Sequence, residues 1–430
     1  MNYIALTIGP IYKTLQNAKK PKELFASSYI FSYIMREIIE NFQEREFVIP
    51  YIEDRTIFDK ESKIGLFHDR FIFQSKENDL EKLHIVIENV LHQVSQELEI
   101  DVTSLQEYLQ IHYTEKELDT DANPITTLTP YLDTQELFFR VSQDNSVIEK
   151  LRRKKGDKDN FLTKNKDIKD DLEKLSYHNY YCVVHADGDS MGKVIEDKNN
   201  IQKVSQNLFR YCKNSYTLIQ NFGGQTIFAG GDDLLFIAPV VGEDKTTIFQ
   251  LCDAISKDFD QLLSPATLSF GITINYIKFP LYEALENSRE QLFVKAKNEL
   301  RNNISFKVTK HSGQSFEALV HKGDEAVYNN FLAFVSSITD EQDNTNFLHS
   351  IHHKIDSYKT TINLIGKDTK RVQNFFDNYF NETSHDAYRE FFRTLVEFIS
   401  SVYQSEKINN KLDLIYATLR FIKFVKGDKK

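Results

Sequence analysis

Apolar positions in the middle third of the chain follow two kinds of pattern, one typical of strands and one typical of helices. Residues 180–184 form an uninterrupted apolar run, typical of a buried strand, whereas apolar residues through 201–222 recur with the 3.6-residue period of a helix. In chain order, the predicted elements are a strand over 180–184, a helix over 201–222, strands over 225–228 and 234–237, a helix over 246–263, a strand over 268–277 and a helix over 281–300. This βαββαβ order is that of a ferredoxin-like unit.

The N-terminal third follows the same order of elements. The predicted elements are a strand over 3–8, a helix over 23–42, strands over 47–51 and 66–73, a helix over 80–98 and a strand over 108–113. Two units of one topology can pair about a pseudo-twofold axis, although no clear residue-level repeat relates these two. The pattern therefore predicts a second ferredoxin-like unit.

From about residue 328 onward, aromatic and aliphatic stripes recur at helical spacing and predict a small helical bundle. The predicted fold class is α+β, with two ferredoxin-like units and a C-terminal helical bundle. The predicted domains are 1–120, the first unit; 121–176, a helical and charged insert and linker; 177–322, the second unit; and 323–430, the C-terminal helical domain.

Composition narrows the class of protein. The 430 residues include 63 acidic and 53 basic side chains, a formal charge of -10, which argues against a free-standing nucleic-acid binder with a broad positive field. Its three cysteines have no CxxC spacing, so a zinc ribbon is not expected. The sequence has no signal peptide and no apolar run of about 18 residues, so we expect a cytoplasmic protein with no membrane partner.

Three further motifs favour structural interpretations. The charged segment 150–158 is interpreted as a solvated loop rather than a phosphate-contacting arm. His349, His352 and His353 have helical spacing but lack an acidic partner motif, and we predict a solvated helix face. The adjacent pair His68 and Asp69 lies in a predicted strand without the further ligands that an HD-type phosphohydrolase needs.

Clustered carboxylates carry the predicted chemistry. Asp187 follows the strand at 180–184, and Asp232 and Asp233 occupy the hairpin turn of the next strand pair. The first and third strands of a ferredoxin-like unit are neighbours, so these carboxylates are expected to meet and to repel one another unless cations lie among them. Oxygen ligands suit Mg²⁺ or Mn²⁺, and two such ions assist in-line phosphoryl displacement. The alternative interpretation is a plain hairpin turn.

Basic residues and glycines supplement this site. Gly230 and Gly231 allow nucleotide phosphates or a base to approach the backbone. Lys297 and Arg301 lie at the end of a predicted helix, where they are suited to contact phosphate. Favourable placement of cations at the C-terminus of a helix is the structural alternative.

Several stretches resemble the large polymerase-like subunit of type III CRISPR effector complexes, in its Cmr (III-B) branch. The similar stretches are 6–12 with 23–29, 65–70, 185–191 with 230–233, and 279–285 with 310–313. The resemblance implies that both units are palm domains holding two nucleotides between them. It also implies a metal-dependent transferase that joins ATP units, releasing pyrophosphate, into a cyclic oligoadenylate. Other effector subunits, guide RNA and target RNA are the implied partners, and target RNA is the implied trigger.

The resemblance also implies roles for individual residues. Metal ligands would be Asp187, Gly188, Asp232 and Asp233, of which the three aspartates are catalytic. Nucleotide contacts on the second palm would come from Gly188, Asp189, Ser190, Gly230, Gly231, Lys297 and Arg301, and Asp189 is also a weaker candidate for holding the metals. Ser27, Ser28 and Asp69 would line the acceptor side. The implied cofactors are two Mg²⁺ or Mn²⁺ ions, with ATP as substrate.

Departures from the family pattern refine these expectations. The first palm begins at residue 3, so we expect no N-terminal HD nuclease domain and no DNA cleavage, and the three scattered cysteines cannot form a four-cysteine zinc module. Some relatives join AMP to another acceptor, such as S-adenosylmethionine, and Asp69 is a candidate for attracting a cationic acceptor. Two alternatives remain: a non-catalytic scaffold with a vestigial palm, and a stand-alone GGDEF-like cyclase, which Asp233 disfavours because those enzymes usually have Glu there.

Overall fold

The computed structural model describes residues 1–58, 64–142, 146–151, 168–298, 300–337, 355, 357–379 and 389–427. Two predictions lie outside these residues. The predicted loop at 150–158 is outside them from residue 152 onward, and the predicted solvated face with His349, His352 and His353 is entirely outside. No helix among the described residues is long and apolar enough to cross a membrane.

The N-terminal unit is a four-stranded antiparallel sheet covered by helices. Its strands are β1 (Asn2–Gly9), β2 (Phe47–Ile49), β3 (Arg70–Gln74) and β4 (Gln110–Glu117). Its helices are α1 (Ile11–Leu15), α2 (Pro21–Glu40), α3 (Asp79–Leu98), α4 (Val102–Tyr108), α5 (Pro124–Glu136) and α6 (Ser146–Leu151), with a 3₁₀ turn at Arg55–Phe58. The strand order β2-β3-β1-β4 is that of a ferredoxin-like sheet.

The second unit contains a six-stranded sheet. Its strands are β5 (Tyr180–Asp189), β6 (Gln225–Gly230), β7 (Asp233–Pro239), β8 (Thr267–Tyr276), β9 (Asn303–Thr309) and β10 (Ser315–His321). Its helices are α7 (Met191–Val194), α8 (Ile201–Asn221), α9 (Ile248–Leu263) and α10 (Leu281–Glu290), with 3₁₀ turns at Leu172–Leu175 and Lys198–Asn200. Within the order β10-β9-β8-β5-β7-β6, the last four strands repeat the arrangement of the first sheet.

Helices follow the second sheet. They are α11 (Glu325–Ser336), α12 (Lys359–Ile365), α13 (Thr369–Tyr379), α14 (Arg389–Gln404) and α15 (Lys411–Gly427). Buried aromatic rings join them to the second unit: Phe249 of α9 meets Phe421 of α15 with ring centroids 5.0 Å apart. The predicted α+β class, with two ferredoxin-like units and a C-terminal helical region, is therefore confirmed.

The predicted helix over 281–300 is wrong in its second half. α10 ends at Glu290, and a π-helical turn follows at Gln291–Ala296. This turn lies directly on β8, because a Cβ atom added to Gly271 would come within 2.3 Å of both the Ser288 carbonyl oxygen and the Leu292 nitrogen. The chain then forms β9 and β10, which were not predicted although apolar residues alternate at 304, 306 and 308.

Two strand predictions in the first unit are also wrong at their starts. β3 begins at Arg70 rather than at residue 66, and β4 begins at Gln110 because Tyr108 ends α4. The apolar residues before β3 have another partner: the Phe67 ring packs against Phe209 of α8, with centroids 6.0 Å apart. Their burial therefore comes from contact between the two units, which a local strand pattern does not distinguish.

Candidate functional site

The Gly-Gly-Asp-Asp segment forms a tight hairpin between β6 and β7. Gly230 pairs with Asp233, which leaves Gly231 and Asp232 as the turn. Gly231 has φ +66°, a left-handed conformation that glycine adopts without strain. The hairpin abuts the first unit, because a Cβ atom on Gly230 would lie 3.3 Å from the Cα atom of His68. The turn residues therefore lie where the two units meet.

Strand pairing brings the upstream carboxylate to this hairpin. β5 pairs with β7 through Ala186 and Leu234, so Asp187 follows directly beside the turn. Gly188 is closely covered, since an added Cβ atom would come 2.6 Å from Oδ2 of Asp232, and its backbone N–H hydrogen-bonds to that carboxylate. The sequence prediction that these strand ends meet agrees with this geometry.

The two turn carboxylates have raised pKa values. Burial and then the negative charge of Asp187 raise the pKa of Asp232 to about 6. The Asp233 side chain is exposed to the space between the units. The protein around it nevertheless removes much of the water that would hydrate its carboxylate, and this raises the pKa of Asp233 well above the ordinary value. Asp187 and Asp232 raise it further, the former also by hydrogen bonding. A cation among these carboxylates would therefore stabilise their ionised forms.

Lys297 supplies one such cation. Its ammonium group donates to Oδ1 of Asp187 and, at 2.8 Å, to the Gly188 carbonyl oxygen. The lysine follows the π-helical turn, and its ammonium nitrogen lies 5.9 Å from the Phe293 ring centroid. Of the predicted phosphate contacts, Lys297 is thus part of the carboxylate cluster.

Asp189 occupies a different environment from Asp187. It is buried, and its Oδ2 atom accepts hydrogen bonds from Thr267, from Ser269 and from the backbone N–H of Asn302. These partners belong to β8 and to the segment before β9. Its predicted nucleotide contact stays a prediction.

A cavity of about 420 Å³ lies between the two units, beside the hairpin. Its lining includes the predicted residues Asp69, Gly230 and Asp233. Residues that the sequence analysis did not select also line it, among them Tyr12, Phe139, His185, Arg289 and Phe293. No motif marks these residues, because they come from separate elements and meet only when the two units pack together.

Polar and aromatic side chains order one wall of this cavity. The Tyr12 hydroxyl donates to Glu286 at 3.0 Å, and the Arg289 guanidinium lies 4.7 Å from the Tyr12 ring centroid. His185 is paired with the Ser288 hydroxyl at 2.7 Å. Burial and the nearby Arg289 lower the pKa of His185 to about 3, so its imidazole is neutral at physiological pH.

Asp69 lies on the opposite, first-unit side of the cavity. Burial raises its pKa to about 6, although the Arg70 guanidinium opposes this shift and Glu136 adds to it. Arg70 is itself held by Glu136, with an Nε–Oε1 distance of 2.8 Å. Burial and then Arg70 lower the pKa of the neighbouring His68 to about 4. This wall is therefore weakly acidic.

Ten predicted site residues do not line the cavity. Six of them have been placed above: Asp187, Gly188, Asp189, Gly231, Asp232 and Lys297. The other four are Ser27, Ser28, Ser190 and Arg301. Ser27 and Ser28 are buried in α2. Ser190 precedes α7 with φ 61°, and Arg301 is exposed with φ 49°. Their predicted nucleotide contacts stay predictions.

A larger cavity, of about 940 Å³, lies elsewhere, between β10, the π-helical turn and α15. Its lining contains Lys295, Glu317 and Arg420 but none of Asp187, Asp232 and Asp233. Size alone therefore does not identify the functional site. Asp233 lines the smaller cavity, and Asp187 and Asp232 lie beside it, so the carboxylates point to that cavity.

The carboxylate cluster has the donor chemistry of a divalent-metal site. Asp187, Asp232 and Asp233 offer hard carboxylate oxygens, and Gly188 offers a carbonyl oxygen beside them. Among the described residues, no three or more His, Cys, Asp or Glu side chains are already arranged around one metal position. Lys297 contacts two of the same oxygens. The residues thus fit Mg²⁺ or Mn²⁺, with Lys297 as a competing cation.

Two ferredoxin-like units that meet over a carboxylate hairpin define a double-palm protein. Residues 180–305 match the family model of the Cas10/Cmr2 second palm domain, and residues 3–105 match that of the N-terminal region of CRISPR-associated protein Cmr2. Together these matches cover more than half of the chain. The chain belongs to the Cas10/Cmr2 family, in its Cmr (type III-B) branch.

Individual relatives agree with this assignment. The chain is 32% identical over 174 residues to the CRISPR system Cmr subunit Cmr2 of Pyrococcus furiosus, covering 33% of this chain and 20% of that protein. The match thus spans about a fifth of the length of this curated relative.

Solved structures share the fold at low sequence identity. The type III-B Cmr-beta structure in its apo state has a TM-score of 0.60 at 9% identity, covering 100% of this chain and 82% of that chain. A Csm1–Csm4 cassette in complex with cA4 has a TM-score of 0.54 at 12% identity, covering 97% of this chain and 70% of that chain. At these identities, the likeness concerns the fold.

Proposed function

We propose that this protein is a metal-dependent nucleotidyltransferase subunit of an RNA-guided type III CRISPR antiviral complex. Its substrate is ATP, and its product is a nucleotide second messenger, made when target RNA is bound. The observation that carries the proposal is the meeting of Asp187, Asp232 and Asp233 with Lys297 beside the cavity between the palms. Other effector subunits, guide RNA and target RNA are the proposed partners.

The carboxylates hold the metal ions in this proposal. Asp187, Asp232 and Asp233, with the Gly188 carbonyl oxygen, provide oxygen ligands of the kind that Mg²⁺ and Mn²⁺ prefer. Two bound ions supply charge stabilisation for the attacking and leaving oxygens of phosphoryl transfer. Gly231 leaves room beside the turn for the donor nucleotide, because an added Cβ atom there would meet only Cδ2 of His68, at 4.0 Å, whereas Gly230 is closely covered by Phe228 and His68.

Cationic side chains of the second palm bind the phosphates. Lys297 already lies within the carboxylate cluster, so a small movement of its flexible side chain brings the ammonium from Asp187 to a phosphate oxygen. Arg301 follows four residues later and has an exposed side chain. Charge-assisted hydrogen bonds from these groups orient the triphosphate and stabilise charge that develops on it.

The cavity receives the acceptor. Its volume of about 420 Å³ is within the range of small-molecule sites, and Tyr12 and Phe293 offer aromatic surface to a planar base. A second adenosine nucleotide gives cyclic oligoadenylate as the product. AMP joined to a cationic acceptor such as S-adenosylmethionine is the other candidate product, because Asp69 adds negative charge to one wall.

Product analysis tests the proposal. The reconstituted effector complex is incubated with radiolabelled ATP, Mg²⁺ or Mn²⁺, and target RNA, with S-adenosylmethionine in a parallel reaction, and products are identified by chromatography and mass spectrometry. We expect target-dependent oligoadenylate or an AMP adduct. The double variant Asp232→Ala/Asp233→Ala is expected to assemble normally and to make neither. Absence of turnover with every metal and acceptor would overturn the proposal.

A scaffold subunit with a vestigial palm is the second candidate. One observation favours it: the ammonium group of Lys297 pairs with Asp187, so the protein itself partly neutralises the carboxylate cluster. The double variant separates the two functions, because a purely structural role predicts that loss of Asp232 and Asp233 impairs assembly instead of nucleotide chemistry.

A further inference from the structure

Asp189 joins the catalytic strand to the segment that carries the predicted phosphate-binding cations. Its Oδ2 atom accepts hydrogen bonds from the Ser269 hydroxyl at 2.7 Å and from the Thr267 hydroxyl at 3.1 Å, both on β8. It also accepts from the backbone N–H of Asn302 at 3.0 Å. Asn302 immediately precedes β9 and lies five residues after Lys297. One buried carboxylate oxygen thus joins β8 to the start of β9.

The segment that Asp189 holds has an unfavourable backbone conformation. Arg301 and Asn302 are consecutive non-glycine residues with φ 49° and 52°, in the left-handed region. The backbone of a residue that carries a side chain is strained in this region, so such a conformation persists only where surrounding contacts impose it. Besides the bond to Asp189, the Asn303 side chain donates to the Ala296 carbonyl oxygen at 2.7 Å. These contacts hold the chain at Ala296 and at Asn302, on either side of Lys297.

The other oxygen of Asp189 faces the catalytic cluster. Within the described part of the chain, its buried Oδ1 atom has no hydrogen-bond partner, and it lies 4.0 Å from the ammonium group of Lys297. Asp187 and Asp189 are two positions apart on β5, where successive side chains alternate between faces, so both point to the same side. Asp189 therefore adds a second negative charge beside Lys297.

We propose that Asp189 is a positioning residue for Lys297: through Oδ2 it fixes Asn302, five residues after Lys297, and through Oδ1 it holds the ammonium group over Asp187 and Gly188. The inference rests on the proposed function only in making nucleotide phosphate the group that Lys297 then binds. Asp189 itself contacts neither metal nor substrate in this scheme. It acts by keeping a flexible lysine within reach of the phosphates.

Two substitutions separate these two actions. Asp189→Asn retains an oxygen that can accept from Ser269, Thr267 and Asn302, but it replaces the charged Oδ1 by an amide that repels the ammonium group. Asp189→Ala removes both the charge and the hydrogen bonds to Oδ2, which we call the anchor. The matched control is Thr267→Val, which removes one donor to Oδ2 and leaves the carboxylate and Ser269 in place.

Amide hydrogen exchange over residues 297–303 measures how firmly the anchor holds the backbone. Calorimetric titration with Mg²⁺ and a non-hydrolysable ATP analogue measures how the charge of Asp189 affects nucleotide affinity. We expect Asp189→Asn to exchange as the wild type does but to bind the analogue about tenfold more weakly. We expect Asp189→Ala to bind at least as weakly and to exchange faster in this segment alone. Thr267→Val is expected to stay within about threefold of the wild type in affinity.

The results distinguish this inference from the proposed function. Wild-type affinity in Asp189→Asn would overturn the electrostatic action, and unchanged exchange in Asp189→Ala would overturn the anchor. Faster exchange across the whole second palm in Asp189→Ala would show general loss of stability and also overturn the anchor. If the wild type binds no nucleotide at all, the proposed function fails, and with it the assignment of phosphate to Lys297, whereas exchange in Asp189→Ala still decides the anchor.

Discussion

The ammonium group of Lys297 donates to the carboxylate of Asp187, 110 residues away in the chain. The Lys297 side chain is 15% exposed and that of Asp187 is 19% exposed, so the pair is shielded from solvent. An ion pair of this kind interacts more strongly than one on the surface, because less water screens it. A cation of the protein thus lies on the same oxygens that we propose as metal ligands.

Replacing Lys297 by Met is expected to change two affinities in opposite directions. Without the ammonium group, Asp187 is free, and Mn²⁺ in the absence of nucleotide should bind about tenfold more tightly. A non-hydrolysable ATP analogue should bind about tenfold more weakly, because a phosphate contact is lost. Electron paramagnetic resonance of Mn²⁺ and calorimetry measure these affinities.

Lys295→Met is the control for this prediction. Lys295 lies in the same π-helical turn, but its ammonium group pairs with Glu317. Both affinities are expected to equal those of the wild type. A Lys297→Met protein whose Mn²⁺ affinity is unchanged or lower would show that the ammonium group does not compete for the metal ligands.

Adding one methyl group at Gly188 is expected to impair the site. An alanine Cβ atom there would lie 2.6 Å from Oδ2 of Asp232 and 2.8 Å from Cγ of Met191, so the carboxylate must shift. We expect Gly188→Ala to bind the ATP analogue about tenfold more weakly. Gly192→Ala is the matched control, because nothing lies within 4 Å of its added Cβ atom. Equal affinities in the two variants would contradict the close packing at Gly188.

Asn123 links the two palms and caps a helix at the same time. Its Oδ1 atom accepts from the backbone N–H of Ile125 at 3.0 Å, and its Nδ2 atom donates to the Ile195 carbonyl oxygen of the second unit at 2.8 Å. Asn123→Ala should lower the free energy of unfolding by about 2 kcal/mol, and Asn123→Ser, which keeps a capping oxygen, by about 1 kcal/mol. Urea denaturation measures both losses. Equal losses in the two variants would show that the cap contributes nothing and that only the hydrogen bond to Ile195 stabilises the protein.

Lys322 is expected to make stability depend on pH in the alkaline range. Burial lowers its pKa to about 8, although the carboxylates of Asp260 and Asp189 oppose this shift. Between pH 8 and the ordinary lysine pKa of about 10.4, the unfolded chain binds a proton that the folded protein lacks, so stability rises with pH. Below pH 8 both states are protonated, and this contribution is lost.

Comparison with Lys322→Met isolates this contribution. The free energy of unfolding of the wild type should rise relative to the variant by up to about 3 kcal/mol between pH 8 and pH 10.5. Lys257→Met, at an exposed lysine paired with Asp253, should show no such difference. A constant difference between the wild type and Lys322→Met across this range would contradict the lowered pKa.

The sequence by itself determined the elements whose signals are local. The uninterrupted apolar run at 180–184 and the glycine-rich turn at 230–231 were sufficient to predict β5 and the β6–β7 hairpin. The known pairing of first and third strands then placed Asp187 beside Asp232. These predictions depend only on period, turn chemistry and one topological rule.

The tertiary structure decided what depends on contact between distant elements. Phe67 looked like part of a strand but is buried against α8, and the predicted helix over 281–300 changes to a π-helical turn where it meets Gly271. Similarly, the hydrogen bonds that hold Asp189 come from β8 and from the start of β9, partners that its motif does not indicate. Burial and partner identity arise from packing between segments far apart in the chain, and no local pattern of residues encodes them.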